Sequence, residues 1–152
     1  MKNLLKTIFF IFLLLFIYGC EINKDTEPED FIIEFGTECG WCAGQEYITV
    51  SASKIDYLRN IPCGDEKGTI QKNRVITSSE WDQINVSFDY SLFTTLEYND
   101  CNVCADGCDE IIRITENNNS HELRYDVSEE VEGMEDLRQL LGGILHEMRN
   151  TD

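Results

Sequence analysis

Six cysteines hold most of the chemistry this chain could perform. Cys39-Gly40-Trp41-Cys42 is one pair, Cys63 stands alone, and Cys101, Cys104 and Cys108 fall within eight residues. Thiols at this density read as covalent cross-links or metal ligands, because packing alone rarely calls for them. As metal ligands, Cys39, Cys42, Cys101 and Cys104 form two Cys-x-x-Cys pairs, and four thiolates suit a tetrahedral Zn ion. The stretch between the pairs is far longer than the usual ~15–20 residues of such sites. As a redox pair, Cys39 and Cys42 would need a helix N-terminus to lower a thiol pKa, whereas Ala43-Gly44-Gln45-Glu46 leads into a strand. As disulfides, six cysteines in an exported domain allow fifteen pairings. Asp100–Glu110 has little apolar area to hold it in place. At least one long-range bond is therefore expected from Cys101, Cys104 or Cys108 to Cys39, Cys42 or Cys63, worth ~4 kcal/mol in the chain-entropy model.

Other reactive groups form no recognisable constellation. Asp100, Asn102, Asp106, Asp109 and Glu110 invite a calcium reading, but counting from Asn102 puts Cys104 at the third position and Arg113 at the twelfth, where an EF-hand loop needs oxygen ligands. A plain acidic loop of solvated side chains is the expectation. His121 sits beside an Asn-rich turn and His146 in the last helix, neither spaced to serve a cysteine nucleophile. There is no Gly-x-Ser-x-Gly elbow and no Gly-rich phosphate loop. Trp81 belongs to a core stripe. Trp41, between two cysteines in a loop, either covers a disulfide or presents an aromatic contact to a partner.

The elements that position these groups follow from periodicity. Phe31 to Phe35 reads as a strand, and Gln45 to Leu58 as one long strand bulged near Ser51-Ala52-Ser53. Pro62 to Asp65 is a turn, and Ile70 to Ile76 a third strand. Thr77 and Glu80 make a capping box, and Trp81, Ile84, Phe88, Leu92 and Leu96 recur at helical spacing. Glu110–Thr115 and His121–Asp126 flank the Asn-rich turn as a hairpin. From about Ser128 to Arg149, a stripe of Val131, Met134, Leu137, Leu141, Ile144, Leu145 and Met148 predicts a helix. Gly142-Gly143 inside it costs ~1 kcal/mol per glycine, which a close approach to the sheet would explain. The sum is an α+β domain: an antiparallel sheet of four to five strands, packed on one face by two helices, its loops stapled by cysteines.

The N-terminus is a separate unit. Lys2 and Lys6 precede an apolar run from Ile8 to Tyr18, too short for the ~20 residues a bilayer needs. Phe16-Ile17-Tyr18-Gly19-Cys20 resembles the lipobox of bacterial lipoproteins. That resemblance implies a signal peptide over 1–19 and a diacylglycerol on Cys20. It further implies a bacterial cell envelope location on the outer membrane, facing the periplasm or the outside. The polar, acidic stretch over 20–30 reads as a tether, and 31–152 is one domain's worth of chain. None of the 29 acidic residues and only Lys2 and Lys6 of the 12 basic ones precede Cys20, so the processed chain carries a formal charge of −19. Phosphate backbones would be repelled, which argues against nucleic acid as a partner.

A first strand, a glycine loop, a strand, a helix, a hairpin and a Leu-rich helix together resemble emfourin-type inhibitors of thermolysin-like metalloproteases. The matching segments are Cys39–Gly44, Ala105-Asp106-Gly107 through Thr115, His121–Asp126 and Leu137–Leu145. The resemblance implies a non-enzymatic protein that binds another protein as an inhibitor. The cysteines and the lipid anchor fall outside that family's pattern, and no inhibitory residue is carried over. The expectation is a lipid-anchored, non-catalytic protein-binding module without a cofactor, with Trp41 as the partner contact. The alternative is a Zn-binding or redox-linked protein using the Cys39/Cys42 and Cys101/Cys104 pairs.

Overall fold

The computed structural model describes residues 31–151. The expected signal peptide over 1–19, the lipidation site Cys20 and the tether over 20–30 lie outside them. Six strands, β1 (Ile32–Cys39), β2 (Gly44–Ser51), β3 (Lys54–Ile61), β4 (Gly68–Val75), β5 (Cys108–Glu116) and β6 (Asn119–Asp126), form one sheet in the order β4-β3-β2-β1-β5-β6. Every neighbouring pair is antiparallel. Three α-helices lie among the described residues: α1 (Ser78–Val86), α2 (Tyr90–Phe93) and α3 (Glu135–Asn150). The α+β class is as expected, with more strands and one more helix than the sequence suggested.

Period-two alternation decides which face is buried. Phe35 lies opposite Ile48 and Ile112, and beyond those lie Tyr57 and Leu123. All five are buried and share one core with Trp81, Ile84, Phe93, Leu137, Leu141, Ile144, Leu145 and Met148 from the helices. The expected long strand over 45–58 is instead the β2–β3 hairpin. Ile48 and Val50 point inward at even positions, whereas Ile55 and Tyr57 do so at odd ones. A bulge or a two-residue turn can each cause that change of phase. Here the Ser51 hydroxyl accepts from the Lys54 amide at 3.3 Å, so the chain turns. At the far hairpin, Asn117 and Asn118 take φ of 50° and 64°, the mirror-image turn that suits strand twist.

The capping box at Thr77 forms as expected: Thr77 accepts from the Glu80 amide at 3.2 Å, and Glu80 accepts from the Thr77 amide at 2.8 Å. The apolar stripe beyond it does not make one helix. Asp89 takes the amides of Ser91 and Leu92 on its carboxylate, starting α2 afresh after α1 has ended. The last helix begins at Glu135, not near Ser128. Val131 and Met134 are buried, but in the connecting coil, where Gly133 turns at φ 81°.

α3 runs across the strands. Arg138 near its start pairs with Glu110 of β5, and Arg149 near its end pairs with Glu46 of β2. Lys72 of β4 donates to the carbonyls of Met148, at 3.2 Å, Arg149 and Thr151, satisfying groups a helix end leaves open. Sixteen residues at ~1.5 Å each span ~24 Å, the width of six strands spaced ~4.8 Å apart. Gly142 and Gly143 do not approach the sheet: a Cβ at either would meet nothing within 4 Å. Their cost is therefore uncompensated. Five buried side chains at ~2 kcal/mol each outweigh it and keep the helix formed. Gly142→Ala with Gly143→Ala is expected to raise unfolding stability by ~1–2 kcal/mol in urea titration. A destabilised double variant would mean that the glycines are needed for packing.

Candidate functional site: the stapled end of the sheet

Antiparallel order brings the cysteine-bearing segments to one end. β1 and β3 finish there while β2, β4 and β5 begin, so the turn at 40–43, the loop at 62–67 and the loop at 100–107 are neighbours. Cys39 and Cys108 are register partners on β1 and β5, and their sulfurs are bonded. Cys42 bonds Cys63, tying the β1–β2 turn to the end of β3. Cys101 bonds Cys104 across a 3-10 turn at Asn102–Ala105. The expected long-range bond is thus present, as Cys39–Cys108. The alternative Cys39/Cys42 pair is split between two bonds, so Cys39, Cys42, Cys101 and Cys104 are not brought together as four thiolates. Among the described residues no group of three or more His, Cys, Asp and Glu side chains is arranged to hold a metal ion.

The turn and the acidic loop pack backbone to backbone. The Gly40 amide donates to the Gly107 carbonyl at 2.9 Å. A Cβ on Gly40 would lie 2.8 Å from both Asp106 Cα and the Val103 carbonyl oxygen, so only glycine fits. Trp41, next along, has φ 56° and is 83% exposed. It does not cover a disulfide. It stands out from a four-residue turn, with a cross-linked cysteine two residues before it at Cys39 and another directly after it at Cys42.

Beneath this loop lies a charge network that sequence reasoning missed. Asp109, expected as a solvated loop carboxylate, is fully buried. It accepts from the Asn102 amide at 2.9 Å and from Arg124 at 3.2 Å. Burial pushes its carboxyl up, but these bonds and one from the Val103 amide outweigh burial and hold it below the usual range. Arg124 also reaches Glu38 at 2.7 Å and Glu122 at 3.5 Å, and Arg113 pairs with Glu34 and Glu122. The open face of the sheet therefore carries a chain of alternating charges from Glu34 to Asp109. Only the cross-strand register brings Asp109 and Arg124 together; neither is marked by a motif. Glu110, beside Asp109, faces the helices and accepts from Arg138 and Tyr125. Asp100 and Asp106 are exposed.

No protein-family model matches this chain, and no curated protein matches it in sequence. Function has to be argued from geometry. The histidines do not join the stapled end. His121 is on β6 opposite Ile114, in line with Ile33 near the start of β1, about 20 Å along the strands from Cys39. Its ring packs edge-on against Phe93, and Nε2 lies 2.9 Å from the Leu96 carbonyl. His146 is exposed on α3. An open hollow of about 240 Å³ on the sheet is lined by Thr49, Asp56, Leu58 and Asn73 among others, and another of about 340 Å³ lies between α1 and α3 beside Val86. Neither contains a residue of the cysteine-bearing loops. What the stapled end offers is an exposed tryptophan on a cross-linked turn.

Proposed function

We propose that this chain is a lipid-anchored, non-catalytic protein of a bacterial envelope that binds another protein through the stapled end of its sheet. The observation that carries the reading is Trp41, 83% exposed on a left-handed backbone between two disulfides. Trp is among the residues that most often dominate interface energies. The cross-links on either side brace the backbone that carries the ring, so little backbone freedom is lost when it docks. Binding of this kind requires no reacting group.

The position of β1 supports the anchor. Its first residue, Ile32, lies at the opposite end of the sheet from the Trp41 turn, and eight residues at ~3.3 Å separate the two by about 25 Å. A tether leading into Phe31 would hold Trp41 on the side away from the lipid. Cys20→Ala is expected to move the protein from the membrane to the soluble fraction, because stable anchoring takes two or more acyl chains and the variant has no thiol to carry them. Sedimentation of that variant with membranes at high salt would end the lipoprotein reading.

A braced loop that projects from a rigid body suits insertion into a cleft, so protease inhibition is the first activity to assay, with thermolysin-like metalloproteases as the first panel. In that panel, or with any purified partner, Trp41→Ala should weaken binding at least 30-fold, consistent with ~2 kcal/mol for an aromatic anchor. Its melting temperature should stay nearly unchanged, since the side chain is largely exposed. Full affinity in the variant would place the contact elsewhere.

A further inference from the structure

The three disulfides are not equivalent, and the geometry points to Cys101–Cys104 as an exchangeable disulfide whose substrate is a dithiol of another protein. Both of its cysteines are exposed, whereas Cys39, Cys42, Cys63 and Cys108 are all half-buried. Exchange needs a thiolate to approach a sulfur from outside, so access selects the 101–104 bond. Sequence separation selects it too. The other two bonds close loops of 69 and 21 residues, and this one spans 3, where the constraint on the unfolded chain is smallest.

The loop around the pair is held by bonds that do not involve the sulfurs. The Gly107 amide donates to Asn102 at 2.8 Å, the Asn102 amide to buried Asp109, the Asp100 amide to Arg124 at 3.0 Å, and the Gly40 amide to Gly107. Opening the disulfide therefore leaves the two thiols on the same scaffold, their Cα atoms 5.3 Å apart and ready to close again. A bond whose loss would unfold the domain cannot cycle; this one can.

A thiolate of the partner attacks one sulfur of Cys101–Cys104, the S–S bond breaks, and the other sulfur leaves as a thiolate and takes up a proton. The partner's second thiolate then attacks the mixed disulfide and releases the remaining sulfur, which is protonated in turn. The partner dithiol is oxidised to a disulfide, and the 101–104 pair is reduced to two thiols by two electrons and two protons. Exposed Asp100 and Asp106 flank the pair in sequence and add negative charge around it, so the matching partner carries its dithiol on a basic surface. This activity is independent of Trp41 and of any binding through it.

The test is a titration of the folded protein with dithiothreitol, followed by alkylation and peptide mass mapping. Adducts on Cys101 and Cys104 should appear at a dithiol concentration at least tenfold below that which labels the other four. Amide protection of β1 and β5 should be intact at that point. The Cys101→Ser/Cys104→Ser variant should fold with a melting temperature within a few degrees of the parent and lack the low-concentration step. Simultaneous opening of all three bonds, opening of 101–104 last, or loss of strand protection along with it would each overturn the assignment.

Discussion

Cys39→Ala combined with Cys108→Ala is expected to lower unfolding stability by about 4 kcal/mol, the largest effect of any disulfide removal here. The bond closes a loop of 69 residues, which the chain-entropy model values at ~4 kcal/mol, against ~3 kcal/mol for the 21-residue loop of Cys42–Cys63. For a domain of this size the whole net stability is ~5–15 kcal/mol. The two strands also lose the covalent link at the point where β1 leaves the sheet. Urea titration measures the loss directly. The slope of the transition should steepen as well, because the unfolded chain without the link exposes more surface. A loss under ~1 kcal/mol would show that the strand register holds this end unaided.

Asp109→Ala should cost about 2–3 kcal/mol. The change leaves the Asn102 amide and Arg124 Nη1 without their acceptor at a position that is fully buried, while Glu38 and Glu122 still pair the guanidinium. A buried donor left unsatisfied costs its full desolvation, which is more than the bond contributed when made. Asp109→Asn keeps the shape and one acceptor oxygen and should lose less. The same carboxyl predicts a pH dependence. Its folded-state pKa is depressed, so its contribution is fully present above the unfolded value of ~3.9 and is lost as pH falls through the lower folded value. Stability of the parent should decline steeply below about pH 4, and the Asn variant should show a shallower decline over the same window. Parallel acid profiles for the two proteins would remove Asp109 from the account.

The parts of the fold that were legible in the sequence are those set by strictly local chemistry. Thr77 and Glu80 cap each other over three residues, and Asn117-Asn118 turn on their own backbone preference. The stripe from Leu137 to Met148 needs only helical spacing to be seen. What the sequence hid depends on pairing at a distance. Ser51-Ala52-Ser53 is equally good as a bulge or a turn, and the choice is made by β3 finding a place beside β2. Asp89 is one of many acidic residues until its carboxylate is seen to receive two amides. Gly142 and Gly143 suggested a packing demand that the open space around them does not support. At the stapled end, six cysteines announced cross-linking, but fifteen pairings stayed open until register set Cys39 opposite Cys108. Asp109 and Arg124 lie fifteen residues apart in sequence and meet only across β5 and β6.

The central place of β1 has a mechanical consequence. Tension applied between its first residue and the turn that follows Cys39 runs along a strand bonded to β2 on one side and β5 on the other. Both ladders are then loaded in shear, so their hydrogen bonds share the force rather than opening one after another. If the chain were instead drawn out from residue 31 to residue 151, the segment between Cys39 and Cys108 could not add to its extension, because the bond carries the force past it. The domain would behave as a short, stiff link with a limited reach.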